Sequence, residues 1–126
     1  MIVDLFLLLI LFQVKHFLCD YPLQSRYMLR KTNSTGWFLP LLWHSTSHGI
    51  YTFVIVYLFN PPLALLCAFI DVSLHFMMDK IKSDKRLLNR FTPAEPYFWW
   101  ALGFDQMFHH LTHYLIIYLT LTYGVL

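Results

Sequence analysis

Glutamate is almost missing from this chain: Glu95 is the single one among 126 residues. That excludes the soluble di-iron carboxylate pattern, which needs several helical Glu residues and Glu-x-x-His pairs. Cysteine is scarce too. Cys19 and Cys67 have no Cys-x-x-Cys context, and neither suggests a disulfide. Only four glycines are present, none in a phosphate-cradling loop, and no Ser-His-Asp or Cys-His arrangement competes for chemistry. Ser45 and Ser47 flank His44 and His48 on other helix faces. The N-terminus has Asp4 where a secretory signal needs a basic region, and no small-residue cleavage site follows, so the first helix is expected to stay. Internal repeats and low-complexity tracts are absent.

Charge is thin as well, at 13% of residues, against 58% hydrophobic and 19% aromatic. A soluble protein of this size could not bury that much apolar surface. The expectation is an integral membrane protein whose partner is the lipid bilayer, with room for one domain, residues 1–126, and four spans of about 20 residues each. Pro22 ends a first span at 2–21. A polar segment with Arg26, Arg30 and Lys31 leads to a second span at 37–59, which Asn60-Pro61-Pro62 reverses into a third at 63–81. The segment from Lys82 to Pro96 leads to a fourth span at 97–123, opened by Tyr97, Phe98, Trp99 and Trp100, residue types that favour a membrane interface. The fold class is thus an all-α four-transmembrane-helix bundle.

Eight of the nine Lys and Arg residues fall in the connections after spans one and three or at the adjoining Lys80. The positive-inside rule puts those basic loops in the cytoplasm and both termini outside. No nucleic-acid partner is expected.

What the chain does have is His and Asp at four-residue spacing. His16 pairs with Asp20, His44 with His48, Asp71 with His75 and Asp79, and Asp105 with His109 and His113. Residues four apart lie one above the other on a helix, so each span carries a polar stripe. Counted from the loops, every stripe falls in the cytoplasmic half. An Asp at the bilayer centre costs on the order of 2.5–3.5 kcal/mol on insertion scales, so something must compensate four of them. A divalent cation does so, because it neutralises carboxylates and accepts neutral imidazole; zinc or manganese fit best, with iron as the alternative. Ten ligand types exceed one tetrahedral ion, which points to two ions bridged by a carboxylate or to one with a rich outer shell. Gln24, Gln106 and Lys80 are expected in that outer shell. His110, rotated about 100° from His109, is expected in the outer shell or facing lipid.

The run His16-Phe17-Leu18-Cys19-Asp20-Tyr21-Pro22-Leu23-Gln24, the residues His75, Asp79 and Lys80, and Phe104-Asp105-Gln106-Met107-Phe108-His109 resemble the signature of the domain-of-unknown-function 3307 family. The resemblance implies a small integral membrane protein of bacteria or their phages, placed in the inner membrane. It implies no activity. A more distant similarity is to membrane-bound metal-dependent hydrolases, which show a comparable scatter of His and Asp.

Three function classes follow. One is a metal-dependent hydrolase acting at the cytoplasmic leaflet on a lipid-linked or phosphoester substrate, drawn in by Lys80, Lys82, Lys85 and Arg86. A second is a di-iron membrane oxygenase, for which His44-x-x-x-His48 and His109-His110-x-x-His113 resemble partial histidine boxes. The third is non-enzymatic: metal or proton transport with Lys15 and Lys80 as counter-ions, or a structural subunit with membrane-protein partners or a second copy of itself.

Overall fold

The structure, a computed structural model, describes residues 1–123. It is all-α, with α1 (Ile2–Asp20), α2 (Phe38–Phe59), α3 (Ala64–Ser83) and α4 (Pro96–Thr122). Short 3-10 turns at Met28–Thr32, Pro61–Leu63 and Leu88–Arg90 occupy the connections. Each helix end lies within two residues of the position expected from sequence.

Local chemistry sets these ends. Pro22 cannot continue α1, and the helix does not pass through it with a kink. The chain turns at Tyr21, and the Gln24 side-chain amide donates to the Asp20 carbonyl at 2.7 Å, satisfying one of the carbonyls a helix end leaves free. At the end of α2, the Asn60 amide donates to the Thr120 carbonyl at 3.0 Å and to that of Tyr123, tying the α2–α3 turn to the end of α4. Pro96 occupies the first turn of α4, where its missing N–H costs nothing. Beyond α3, the exposed Arg86 side chain and backbone N–H bind the Asp84 carboxyl and hold it down to about 2.

The helices alternate in direction. Both basic connections therefore share one end of the molecule, while the Asn60 turn and the close of α4 share the other. Polarity divides along the same axis. Leu8, Phe12, Ile55, Val56, Ala64, Cys67, Ile116 and Ile117 form the apolar core toward the Asn60 end. Toward the basic end, buried His and Asp side chains predominate, with Cys19, Leu41 and Met78 among them.

Outside and inside are inverted relative to a water-soluble protein. Among the described residues, sixteen polar or charged side chains are buried against twelve apolar ones. Val3, Phe6 and Ile10 on α1, Val54 and Leu58 on α2, Leu65 and Phe69 on α3, and Leu111 and Tyr118 on α4 are exposed. Two stretches, Ile2–Asp20 and Pro61–Arg90 around α3, are long and apolar enough to cross a membrane. The other two helices, at 22 and 27 residues, are longer than α1.

The closest helix pairing, α2 on α3, depends on Gly49. A Cβ there would lie 2.2 Å from Val72 Cγ2 and 3.3 Å from the Ala68 carbonyl oxygen. Gly49→Ala is expected to cost about 1–3 kcal/mol by overpacking. Adding Val72→Ala should restore more than half of the loss in thermal unfolding in detergent; wild-type stability for Gly49→Ala alone would refute the close approach.

Candidate metal centre

Each helix brings its stripe to the basic end. His16 and Asp20 come from the last turns of α1, His44 and His48 from α2, His75 and Asp79 from α3, and Asp105 and His109 from α4. The imidazoles of His44, His48 and His75 are at most 1% exposed, and the Asp20 carboxylate is the most open member. In His16, His44, His48, His75 and His109 it is Nε2 that faces inward.

The spacing among these atoms is the informative quantity. His44 Nε2, His75 Nε2 and Asp79 Oδ2 lie 3.3 Å from one another, pair by pair. Asp20 Oδ1 is a further 3.3 Å neighbour of His44 Nε2. Tetrahedral ligand atoms about 2.0 Å from a zinc ion are separated by about 3.3 Å. Hydrogen bonds account for the triangle poorly, because 3.3 Å exceeds the usual N–H···O range and one N–H on His44 can serve only one of its three neighbours.

The two central carboxylates each face two ways. Asp79 presents Oδ2 to His44 and His75 and Oδ1 to His109 at 3.4 Å. Asp20 presents Oδ1 to His48 at 2.9 Å and to His44, and Oδ2 to His16 at 3.3 Å. Asp105 Oδ1 lies 3.0 Å from His109 Nε2. Two overlapping groups of these side chains, with His75 in both, could each hold a metal ion. Atoms of Asp20, His44, His48 and His75 all lie within 4.8 Å of one another, as do those of His75, Asp79 and His109.

Two of the expected ligands sit elsewhere. Asp71 accepts from Lys15 Nζ at 2.5 Å and from the Thr52 hydroxyl. His113 Nε2 lies 3.4 Å from the same ammonium. Lys15, Thr52, Asp71 and His113 come one from each helix and form a separate ion-pair node deeper in the molecule. The physical reason is reach: Asp71 is eight residues from Asp79, about 12 Å along the helix.

Lys80 is also displaced. Its ammonium lies 3.6 Å from the centroid of the Trp37 ring and 3.7 Å from Asp84 Oδ2, off the cluster. The basic partners are Lys31, 2.9 Å from Asp79 Oδ2, and Lys82, 3.0 Å from Asp105 Oδ2. Three residues beyond Asp79, Lys82 shares its helix face, a signal the spacing rule contained. Lys31 comes from a 3-10 turn, where periodicity gives no guidance.

Gln106 Oε1 accepts from His16 Nε2 at 3.0 Å, and its amide nitrogen donates to Asp105 Oδ2 at 3.0 Å, a supporting role like the one expected. Gln24 acts on the Asp20 backbone and so fixes the end of α1 from which that carboxylate projects. His110 faces Gln13 at 3.4 Å on the outer side of the cluster.

A family model described as protein of unknown function (DUF3307) matches residues 7–125. The chain belongs to that family. Neither curated proteins nor solved structures yield a match. In this DUF3307 chain, His16, Asp20, His75, Asp79, Asp105 and His109 of the three segments that carried the resemblance lie in the cluster, Gln24 and Gln106 lie beside it, and Phe17, Phe104, Met107 and Lys80 are turned away.

The deeper node has its own consequence for stability. Lys15→Met would leave Asp71 buried without its counter-ion, a loss expected at about 3–5 kcal/mol. Lys15→Met combined with Asp71→Asn should recover part of it, read by thermal unfolding in detergent. Additive losses from the two substitutions would show that the pair is not coupled.

Proposed function

We propose that this chain is an integral protein of the bacterial inner membrane whose clustered His and Asp residues hold one or two divalent cations, zinc or manganese, and hydrolyse a lipid-linked or phosphoester substrate at the cytoplasmic leaflet. The membrane part of this reading is supported by the inverted polarity and by the two apolar helical stretches. On this reading residues 1–126 form one domain of four spans, with the basic connections inside and both termini outside. The observation that carries the metal is the 3.3 Å triangle of His44, His75 and Asp79.

Reaction chemistry follows from what faces the solvent. Asp20, Asp79 and Asp105 line a cavity of about 180 Å³ together with Lys31 and Lys82. A bound cation would supply an acidified water and polarise a phosphoryl oxygen, leaving phosphorus open to attack. Hydrolysis of a phosphoester joins the water oxygen to phosphorus and breaks the bond from phosphorus to the alcohol oxygen. The Asp105–His109 pair takes up the water proton and returns one to the leaving oxygen. Lys31 and Lys82 hold the substrate anion.

A second reading has an observation behind it. Nδ1 of His16, His44, His48 and His75 is buried with no hydrogen-bond partner. Ligation through Nε2 puts the ring proton on that unpaired atom, at a cost of about 1–3 kcal/mol each. A metal-free hydrogen-bonded network, acting as a proton relay or as structure, keeps the proton on Nε2 of most of these rings, so their Nδ1 is an unpaired acceptor and not an unpaired donor.

Elemental analysis separates the two. Protein purified without a metal-affinity step should carry one to two equivalents of zinc or manganese. His75→Ala and Asp79→Asn should each lose at least half of it, while Asp71→Asn should keep it. A metal-free wild type would overturn the hydrolase in favour of the network, and stoichiometric iron with visible absorption would favour the oxygenase.

A further inference from the structure

The cavity above the carboxylates does not end at the polar residues. It adjoins a second space of about 220 Å³ that shares Gln24, Lys31, Asp79, Lys82 and Leu102 with it. The rest of its wall is Leu29, Leu88, Phe98 and Ala101, with Thr32, Ser83 and Asn89 among them. The two adjoining spaces therefore have two lysines between them, three carboxylates on one side, and a largely apolar lobe on the other.

Each ammonium has three donors and spends one on a carboxylate, Lys31 on Asp79 and Lys82 on Asp105. Four N–H groups remain, on two charges that face the same space. That is a cradle for a doubly charged anion. The apolar lobe opens past Thr32, Ser83 and Asn89, so the group attached to that anion reaches hydrocarbon surroundings within a few atoms. Among the described residues this lobe adjoins both lysines, and at about 220 Å³ it is small against the paired acyl chains of a phospholipid.

We infer that the ligand of this pocket is a phosphate monoester of a long apolar alcohol, its phosphate between Lys31 and Lys82 and its single chain in the Leu29–Phe98–Leu102 lobe. The inference rests on the hydrolase reading for what happens to the ester, and it narrows the substrate class to single-chain monoesters. The products are the free alcohol, which stays in the lipid phase, and inorganic phosphate, which leaves toward the basic loops.

Calorimetric titration of the full chain in a nonionic detergent tests this, using ethyl, octyl and dodecyl phosphate, inorganic phosphate, didodecyl phosphate and dodecanol. Affinity should rise about fourfold for each methylene that enters the lobe. Inorganic phosphate should bind more weakly than octyl phosphate, and the diester and the alcohol about tenfold or more weaker than dodecyl phosphate. Lys31→Met and Lys82→Met should each weaken dodecyl phosphate about tenfold or more, and Ala101→Trp, which fills the lobe, should flatten the chain-length series. Measuring every variant in the same micelles removes simple partition into detergent.

Chain-length-independent affinity in the wild type, or dodecanol binding as tightly as its phosphate, would overturn the inference. Wild-type affinity in both lysine variants would do the same. Metal analysis on the same samples keeps the two claims apart: a metal-loaded protein with no preference for the alkyl phosphate sinks the pocket alone, and a metal-free protein with lysine-dependent alkyl phosphate binding sinks the hydrolase alone.

Discussion

The carboxylate of Asp79 is where the protein's electrostatics meet. It is 5% exposed, and its two oxygens touch Lys31 from a connection, His44 from α2, His75 from its own helix and His109 from α4. A single buried anion with partners on that many elements fixes how the helices sit at the basic end, since moving any one of them strips it of a partner. Asp20 does the same for α1, through His16, His44 and His48. The two acids together make the basic end one interlocked unit.

On the proposed reading, charge balance favours a cation here. Asp20, Asp79 and Asp105 are faced by Lys31 and Lys82, so with every imidazole neutral, as ligation requires, the cluster carries one excess negative charge. The Lys15–Asp71 pair is balanced on its own and contributes nothing to the deficit. One divalent ion would reverse the sign of the cluster, and two would make it strongly positive. That suits an anionic substrate held by the lysines.

Much of this was readable from spacing, and the failures have a common cause. Pro22, Asn60-Pro61-Pro62 and Pro96 mark helix ends whatever surrounds them, and the His/Asp pairs four apart must share a face. A stripe, however, says which face and not which depth. Asp71 and His113 share faces with Asp79 and Asp105, but each stands about 12 Å further along its helix, where Lys15 claims both. The same rule misplaced the basic partner. Lys80, one residue past Asp79, turns about 100° away toward Trp37, and Lys82 takes its place. Lys31 was beyond reach, because its position is set by how the Met28–Thr32 turn folds over the helix ends.

Depth also bears on transport. From the basic end inward, the polar side chains run through the His/Asp cluster to the Lys15–Asp71–His113 node and there meet Leu8, Phe12, Val56, Cys67 and Ile116, each at most 1% exposed. Beyond that layer the buried polar groups are Thr120, whose hydroxyl donates to the Ile116 carbonyl, and Asn60, which is committed to the end of α4. Neither carries an ionisable group. An ion or proton crossing the described part of the molecule would have to pass a packed layer whose one titratable group is the buried Cys67 thiol, whereas at the basic end a cavity is lined by the carboxylates themselves. A polar column open at one end and closed by an apolar plug at the other suits a reaction centre that exchanges substrate and product through one mouth. The same plug keeps the cluster's field from being relaxed by water on the far side, which strengthens whatever charge the site holds.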